Sequence, residues 1–222
     1  MATRQRPDFR FTQLLIVILL LILGYPYFRD DAVGVFFGGM TSLVLCCAGV
    51  YAVHTTRWQF LTATSLALLS AGTLTVFDFY QGVRGHPLVE FSFFLFYGFT
   101  TVAIFLEVIY ADDVRRDTVS GAVCVYLLLG LTFGTLYDFM ETMAPGSFHD
   151  NVAAVEGTVL GFRQLLYFSY MTLTTVGYGD ITPVTSQAQS IVAIEGVVGV
   201  LYVAVLIARI VGIYSSRSGS ST

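Results

Sequence analysis

The chain has 222 residues, 55% of them hydrophobic and only 12% charged, with a formal net charge of −4. A water-soluble domain of this length carries about a quarter of its residues as charge, so an ordinary soluble globule is excluded. All 11 basic residues are arginines, and they form no basic patch interleaved with aromatics, which excludes nucleic-acid recognition.

Runs of about 18 or more apolar residues read as membrane spans, because about 20 helical residues cross roughly 30 Å of hydrocarbon. Six such runs follow one another: 11–28, 33–53, 58–80, 88–110, 118–139 and 188–214. The first follows Arg4, Arg6 and Arg10. A signal peptide is the alternative there, but "GYPYFRDD" offers no small-residue cleavage pattern. Asp78, near the outer end of the third run, is expected at the interface, with a cation or proton role as the alternative. The fourth run, "LVEFSFFLFYGFTTVAIFLEVIY", holds no basic residue, and its charges, Glu90 and Glu107, lie near its ends. Cys46, Cys47 and Cys124 fall inside apolar runs without metal or disulfide spacing and read as small buried hydrophobes. His54, His86 and His149 are scattered singly and read as interfacial polar residues.

Arginine placement sets the orientation. With the N-terminus in the cytoplasm, Arg4, Arg6, Arg10, Arg57, Arg115, Arg116, Arg209 and Arg217 lie inside, and Arg29, Arg84 and Arg163 lie outside. Both termini are then cytoplasmic, and the short loops make successive spans antiparallel neighbours.

The connection between the fifth and sixth runs differs from the others. It takes 48 residues, 140–187. It opens with the polar "METMAPGSFHDNVAAVEG" and continues with "TVLGFRQLLYFSYMTLT", apolar but too short to cross, which marks a re-entrant helix. Directly after it comes "TLTTVGYGDITPVT". Irregular backbone at membrane depth survives only where it is buried in protein or lines water. Gly177 and Gly179 tolerate positive φ, so alternating them with Val176 and Tyr178 lets successive carbonyls face one side. Four such ladders around an axis would hold a dehydrated cation.

"TTVGYGD", after a short amphipathic helix and before a long apolar span, resembles the selectivity filter of potassium channels. The resemblance is strong over residues 118–214 and extends to 1–117 only in the number of spans. It implies an all-α membrane protein of six transmembrane helices plus a re-entrant pore helix and filter, assembled as a homotetramer. Its parts would be a four-span domain (1–117) and a pore domain (118–214), followed by a short disordered tail (215–222). Within the pore domain would lie an outer helix (118–139), a pore helix (161–174), a filter (175–179) and an inner helix (188–214).

The same resemblance assigns the carbonyls of Thr175, Val176, Gly177, Tyr178 and Gly179 to potassium ions, with K⁺ held at Thr175 to Tyr178. Asp180 would lie at the outer mouth, and the Tyr178 ring would be propped against the pore helix. Thr174 and Tyr167 would support the filter. Met171 stands where some members have a glutamate that partners the aspartate, and Tyr167 and Phe168 stand where others have tryptophans. The Tyr167 hydroxyl is expected to reach Asp180. Gly199 falls at the position of a hinge glycine, with Gly196 as a rival and close packing on the pore helix as the plainer role for either. Below it Val200, Val203, Ile207 and Val211 would share one face as cavity wall and apolar gate.

Glu195 is a carboxylate within a span, and such groups need a partner. A structural hydrogen bond to Ser169 or the pore-helix threonines is expected, with a titrating group that tunes conduction as the alternative. The arginine-free fourth span predicts a pore not gated by voltage in the usual way. The first four spans would form a belt or a lipid- or partner-sensing domain. A soluble domain and a fused nucleotide- or calcium-gating module are not expected, nor are a cofactor beyond the permeant ion or an enzymatic activity. Membrane lipids and a possible regulatory subunit remain as partners. Short loops and the lack of lysine point to a prokaryotic inner membrane. A weakly selective monovalent cation channel and, further off, a potassium-transporter subunit stand as the alternative functions.

Overall fold

A computed structural model of the chain describes residues 9–24, 32–53, 56–80, 86–111, 116–152 and 159–218. Helices dominate. They are α1 (Arg10–Gly24), α2 (Ala32–Val53), α3 (Arg57–Leu74, continued by a π-helical segment, Thr75–Tyr80), α4 (Pro87–Ile109), α5 (Arg116–Met143), α6 (Phe162–Leu173) and α7 (Ser186–Ser218). Two short strands, β1 (Phe148–Asp150) and β2 (Ile181–Pro183), pair antiparallel, with His149 opposite Thr182. No strand was expected from the sequence.

Four helices are long and apolar enough to cross a membrane: Arg57–Phe77, Pro87–Ile109, Asp117–Met143 and Ser186–Arg209. Arg10–Gly24 and Gly39–Val53 are shorter apolar helices among the described residues. At 15 residues α1 rises about 22 Å, short of the hydrocarbon thickness; the rest of the first expected span, 25–28, lies outside the described residues. In contrast α7, with 33 residues, rises about 50 Å, longer than a bilayer's hydrocarbon core. α6 has 12 residues and cannot span.

Local sequence explains the helix ends. Thr56 caps α3 by accepting from the Gln59 N–H. Pro87 opens α4, and His86 before it accepts from the Leu88 N–H while stacking on Phe77 at 3.7 Å. The start of α1 is capped at long range: Asp117 accepts from the N–H groups of Phe11 and Thr12, each at 3.1 Å. A carboxylate there also complements the helix dipole. Beside it the buried Arg10 pairs with Glu107 of α4 and donates to the Ala52 carbonyl of α2. Three elements therefore meet on one guanidinium, as a buried cation requires.

The main core runs from Phe11, Leu14 and Ile18 of α1 through Leu45 and Phe96 to Val125, Leu128 and Leu131 of α5 and reaches Tyr202 of α7. Helices α1, α2 and α4 thus share one apolar core with α5 and α7. A second cluster, Tyr137, Phe148, Leu160, Leu165, Phe168, Ile181 and Ala188, joins the β1–β2 pair to α5, α6 and α7. Arg209 of α7 donates to the Ala111 carbonyl at 2.6 Å, tying the inner helix to the end of α4. Cys46 and Cys124 are buried and Cys47 exposed, all as free thiols.

Candidate functional site

The short helix α6 is drawn against α5 by missing side chains. A Cβ added to Gly130 would lie 2.2 Å from the Tyr170 ring, and one on Gly134 would lie 3.1 Å from the Leu166 Cα. Spaced by four along α5, these glycines let the helices approach as small residues do in membrane interiors. Two tyrosines then bond across the contact. Tyr170 donates to the Leu127 carbonyl at 2.9 Å, and Tyr126 donates to the Leu173 carbonyl at 3.0 Å. The second of these satisfies a terminal carbonyl of α6, which otherwise has no partner within its helix.

Glu195 of α7 completes the support from the other side. It is fully buried, and its two oxygens accept from Ser169 and Tyr137, each at 2.5 Å. Ser169 also contacts the Gly130 carbonyl at 2.9 Å. One carboxyl group therefore joins α5, α6 and α7. The Ser169 contact was legible in the sequence, whereas Tyr137 was not. Gly199 proves to be a close-packing residue, since a Cβ there would lie 2.7 Å from the Leu173 carbonyl; Gly196 has open space within 4 Å. α7 continues unbroken through both.

Past α6 the backbone is set by its terminal turn. The Met171 carbonyl accepts from the N–H groups of Val176, at 2.9 Å, and Gly177, at 3.2 Å. Positive φ then recurs at every second residue: Thr175 at 60°, Gly177 at 54° and Gly179 at 77°. The glycines adopt this region freely. Thr175 is β-branched, and its position there stores on the order of 1–3 kcal/mol. It is the only non-glycine with positive φ among the described residues. Such strain persists only where the surroundings impose it. The two glycines were legible in the sequence; the threonine was not.

The outer end is clamped by side chains from elsewhere. Tyr167 donates to Asp180 Oδ2 at 2.7 Å, as expected from the sequence. That hydrogen bond holds the Tyr167 phenol up to about 12. Asn151, just after β1, donates from its backbone to the Asp180 carbonyl at 2.7 Å and from its side chain to the Gly179 carbonyl at 2.8 Å. Just before and at the start of β1 Glu141 accepts from the N–H groups of Gly146 and Phe148. Neither Asn151 nor Glu141 was marked by any sequence pattern.

Residues Thr174 to Gly179 are exposed on the chain, with Val176 at 48% and Tyr178 at 72%. Within one chain most of the Tyr178 side chain is therefore uncovered. Thr174 donates back to the Tyr170 carbonyl at 2.6 Å. Val200, Val203 and Ile207 are likewise exposed along α7, and Val211 lies beyond the residues whose side chains are described. Asp78 sits in the π-helical segment, its side chain also outside the description. No group of three or more His, Cys, Asp or Glu suited to a metal ion occurs among the described residues.

Residues 122–216 match a family model described as "Ion channel" (Ion_trans_2). A relative, "Two-pore potassium channel 4" of Arabidopsis thaliana, is 34% identical over 100 residues, which make up 45% of this chain and 34% of the relative. The chain thus matches about a third of that relative's length. No solved structure matches the chain. The family match falls on the segment that holds most of α5, all of α6, the glycine stretch and nearly all of α7. Residues 122–216 are thus similar to an ion channel domain, and part of the chain is similar to a potassium channel.

Proposed function

We propose that the chain is a potassium-selective channel subunit that conducts K⁺ passively, four copies surrounding one pore. The observation that carries this reading is the alternating backbone of 175–179, with a strained threonine continuing the pattern of the two glycines. A single ladder of oxygens cannot enclose an ion; four can replace its hydration shell. Val176 and Tyr178, exposed on one chain, then pack against neighbouring subunits. Thr175, Val176, Gly177 and Tyr178 supply ion-binding carbonyls, with Gly179 and Asp180 at the outer mouth. The exposed Val200, Val203 and Ile207, continued by Val211, line the cavity and an apolar gate that closes by losing its water. Gly199 is the hinge candidate, although its packing on Leu173 already accounts for a glycine there.

In this reading six helices cross the membrane and both termini face the cytoplasm. The short α1 meets the bilayer by local thinning. The plane of the four-span segment serves as a belt or sensor rather than a voltage sensor. Glu195, with both oxygens bonded, acts as a tether of the pore helix. A prokaryotic inner membrane is the proposed location.

The test is flux from liposomes under a K⁺ gradient. Large K⁺ and Rb⁺ flux, small Na⁺ flux and block by Ba²⁺ are expected. Equal Na⁺ flux would replace this reading with a weakly selective cation channel, and purification as a stable monomer would remove the shared pore.

A further inference from the structure

Asn151 stands 28 residues before Gly179 in the chain, yet three hydrogen bonds join it to the segment around Asp180. Its backbone N–H donates to the Asp180 carbonyl at 2.7 Å. Its side-chain amide donates to the Gly179 carbonyl at 2.8 Å and to Thr182 Oγ1 at 3.2 Å. The amide orientation follows from chemistry. The Gly179 oxygen only accepts, so a reversed amide would set two oxygens against each other. Both side-chain N–H groups of Asn151 are thus in use.

Asn151 is itself firmly placed. The strand pairs His149–Thr182 and Asp150–Ile181 bring it beside β2. Asp150 closes the turn after it by accepting from the Val152 N–H at 2.9 Å. Glu141 holds the opposite end of β1 through Gly146 and Phe148. None of these contacts is made by a side chain of α6. The outer end of the glycine stretch therefore has two separate anchors, Tyr167 from α6 and Asn151 from the end of β1.

We propose that Asn151 is a positioning residue for the outermost cation site: its amide fixes the Gly179 peptide and takes a share of that carbonyl's lone pairs. Gly179 has positive φ and no side chain to hold it, so its peptide rotates easily once released. With Asn151 in place, the outer mouth keeps its shape whether or not an ion occupies it. Without it, only a bound ion orders the Gly179 carbonyl. The inference rests on the potassium-channel reading above.

The test uses the full chain in planar bilayers, with K⁺ varied on the outer side. Asn151→Asp keeps the shape and removes the N–H donors; Asn151→Ala removes the side chain. Both variants should keep the initial K⁺ over Na⁺ preference. At low outer K⁺ their currents should decay about fivefold faster than those of the unaltered chain, the gain of roughly one hydrogen bond, and the difference should close as outer K⁺ rises. Decay matching the unaltered chain at every K⁺ concentration overturns the proposal. So does an effect of Asn151→Ala that Asn151→Asp does not share, because that marks packing rather than donation. Should neither variant assemble, solid-state NMR on the unaltered chain decides. A cross-peak between the Asn151 side-chain nitrogen and the Gly179 carbonyl carbon is expected at high and low K⁺, and its absence at both overturns the proposal. Failure of the potassium reading shows separately, as equal K⁺ and Na⁺ flux through the unaltered chain.

Discussion

Tyr137 of α5 and Glu195 of α7 lie 58 residues apart in the chain and share a 2.5 Å hydrogen bond between two fully buried side chains. The other Glu195 oxygen meets Ser169 of α6. The short helix that ends in the glycine stretch is thereby bolted to both of the long helices beside it.

Replacement of Glu195 separates shape from charge. Ser169 has one hydroxyl hydrogen to share between the Gly130 carbonyl and Glu195. In Glu195→Gln the amide donates to Ser169, which releases that hydrogen for Gly130, while the amide oxygen still accepts from Tyr137. Stability within about 1 kcal/mol of the unaltered protein is expected. Glu195→Ala leaves two buried hydroxyls short of a partner and opens a cavity, at about 2–5 kcal/mol. Thermal unfolding in detergent, with K⁺ flux alongside, measures both. Equal damage from the two variants would show that charge, not tethering, is what Glu195 provides.

Gly199 and Gly196 should respond in opposite ways. An alanine Cβ at 199 meets a backbone oxygen at 2.7 Å that cannot easily move, so Gly199→Ala should cost about 1–3 kcal/mol. Gly196→Ala meets nothing within 4 Å in the chain and should be neutral or slightly stabilising through helix propensity. Thermal melts of the two variants give the comparison. A Gly199→Ala protein of unchanged stability and altered opening would instead support a hinge.

Tyr167→Phe removes the pore-helix anchor of Asp180 and should shorten sustained K⁺ current without changing the K⁺ over Na⁺ ratio measured at onset. The Tyr167 phenol, held up to about 12 by its bond to Asp180, is raised above the ordinary value of about 10. Its contribution to stability is therefore fully present below pH of about 10 and is lost only as pH rises through about 12. Current decay should accordingly show no Tyr167-dependent change between neutral pH and about pH 9. A difference between the unaltered chain and Tyr167→Phe that disappears within that range would contradict this assignment.

Voltage should do little. α4 carries no arginine or lysine, and its Glu107 is paired with Arg10. One charge moved through a 200 mV change is worth about 4.6 kcal/mol, more than a thousandfold in open probability. Less than about a tenfold change over that range is expected from single-channel recordings, and a steeper response would mean that charge outside α4 moves through the field.

Several features were legible one residue at a time. The apolar runs marked the helices, because about 20 apolar residues in a row have few other uses. The brevity of 158–174 marked α6 as a helix that turns back, and the positions of Gly177 and Gly179 marked a backbone that changes hand. Tyr167 was aimed at Asp180 by the resemblance, and Glu195 at Ser169 because a carboxylate within a span needs a polar partner. Helix ends were less legible. α5 and α7 run several residues past the expected 118–139 and 188–214, because polar residues continue a helix at no cost once it leaves the apolar layer.

By itself the sequence determined a helical membrane chain with one re-entrant segment and an alternating glycine stretch, since length, hydropathy and glycine placement are local properties. Only the tertiary structure decided that Thr175 joins the alternation, that Gly199 is packed against Leu173, and that Tyr137, Glu141 and Asn151 hold the site from outside it. Those contacts join residues on separate elements, and nothing in the chain between Tyr137 and Glu195, or between Asn151 and Gly179, encodes the distance that folding closes.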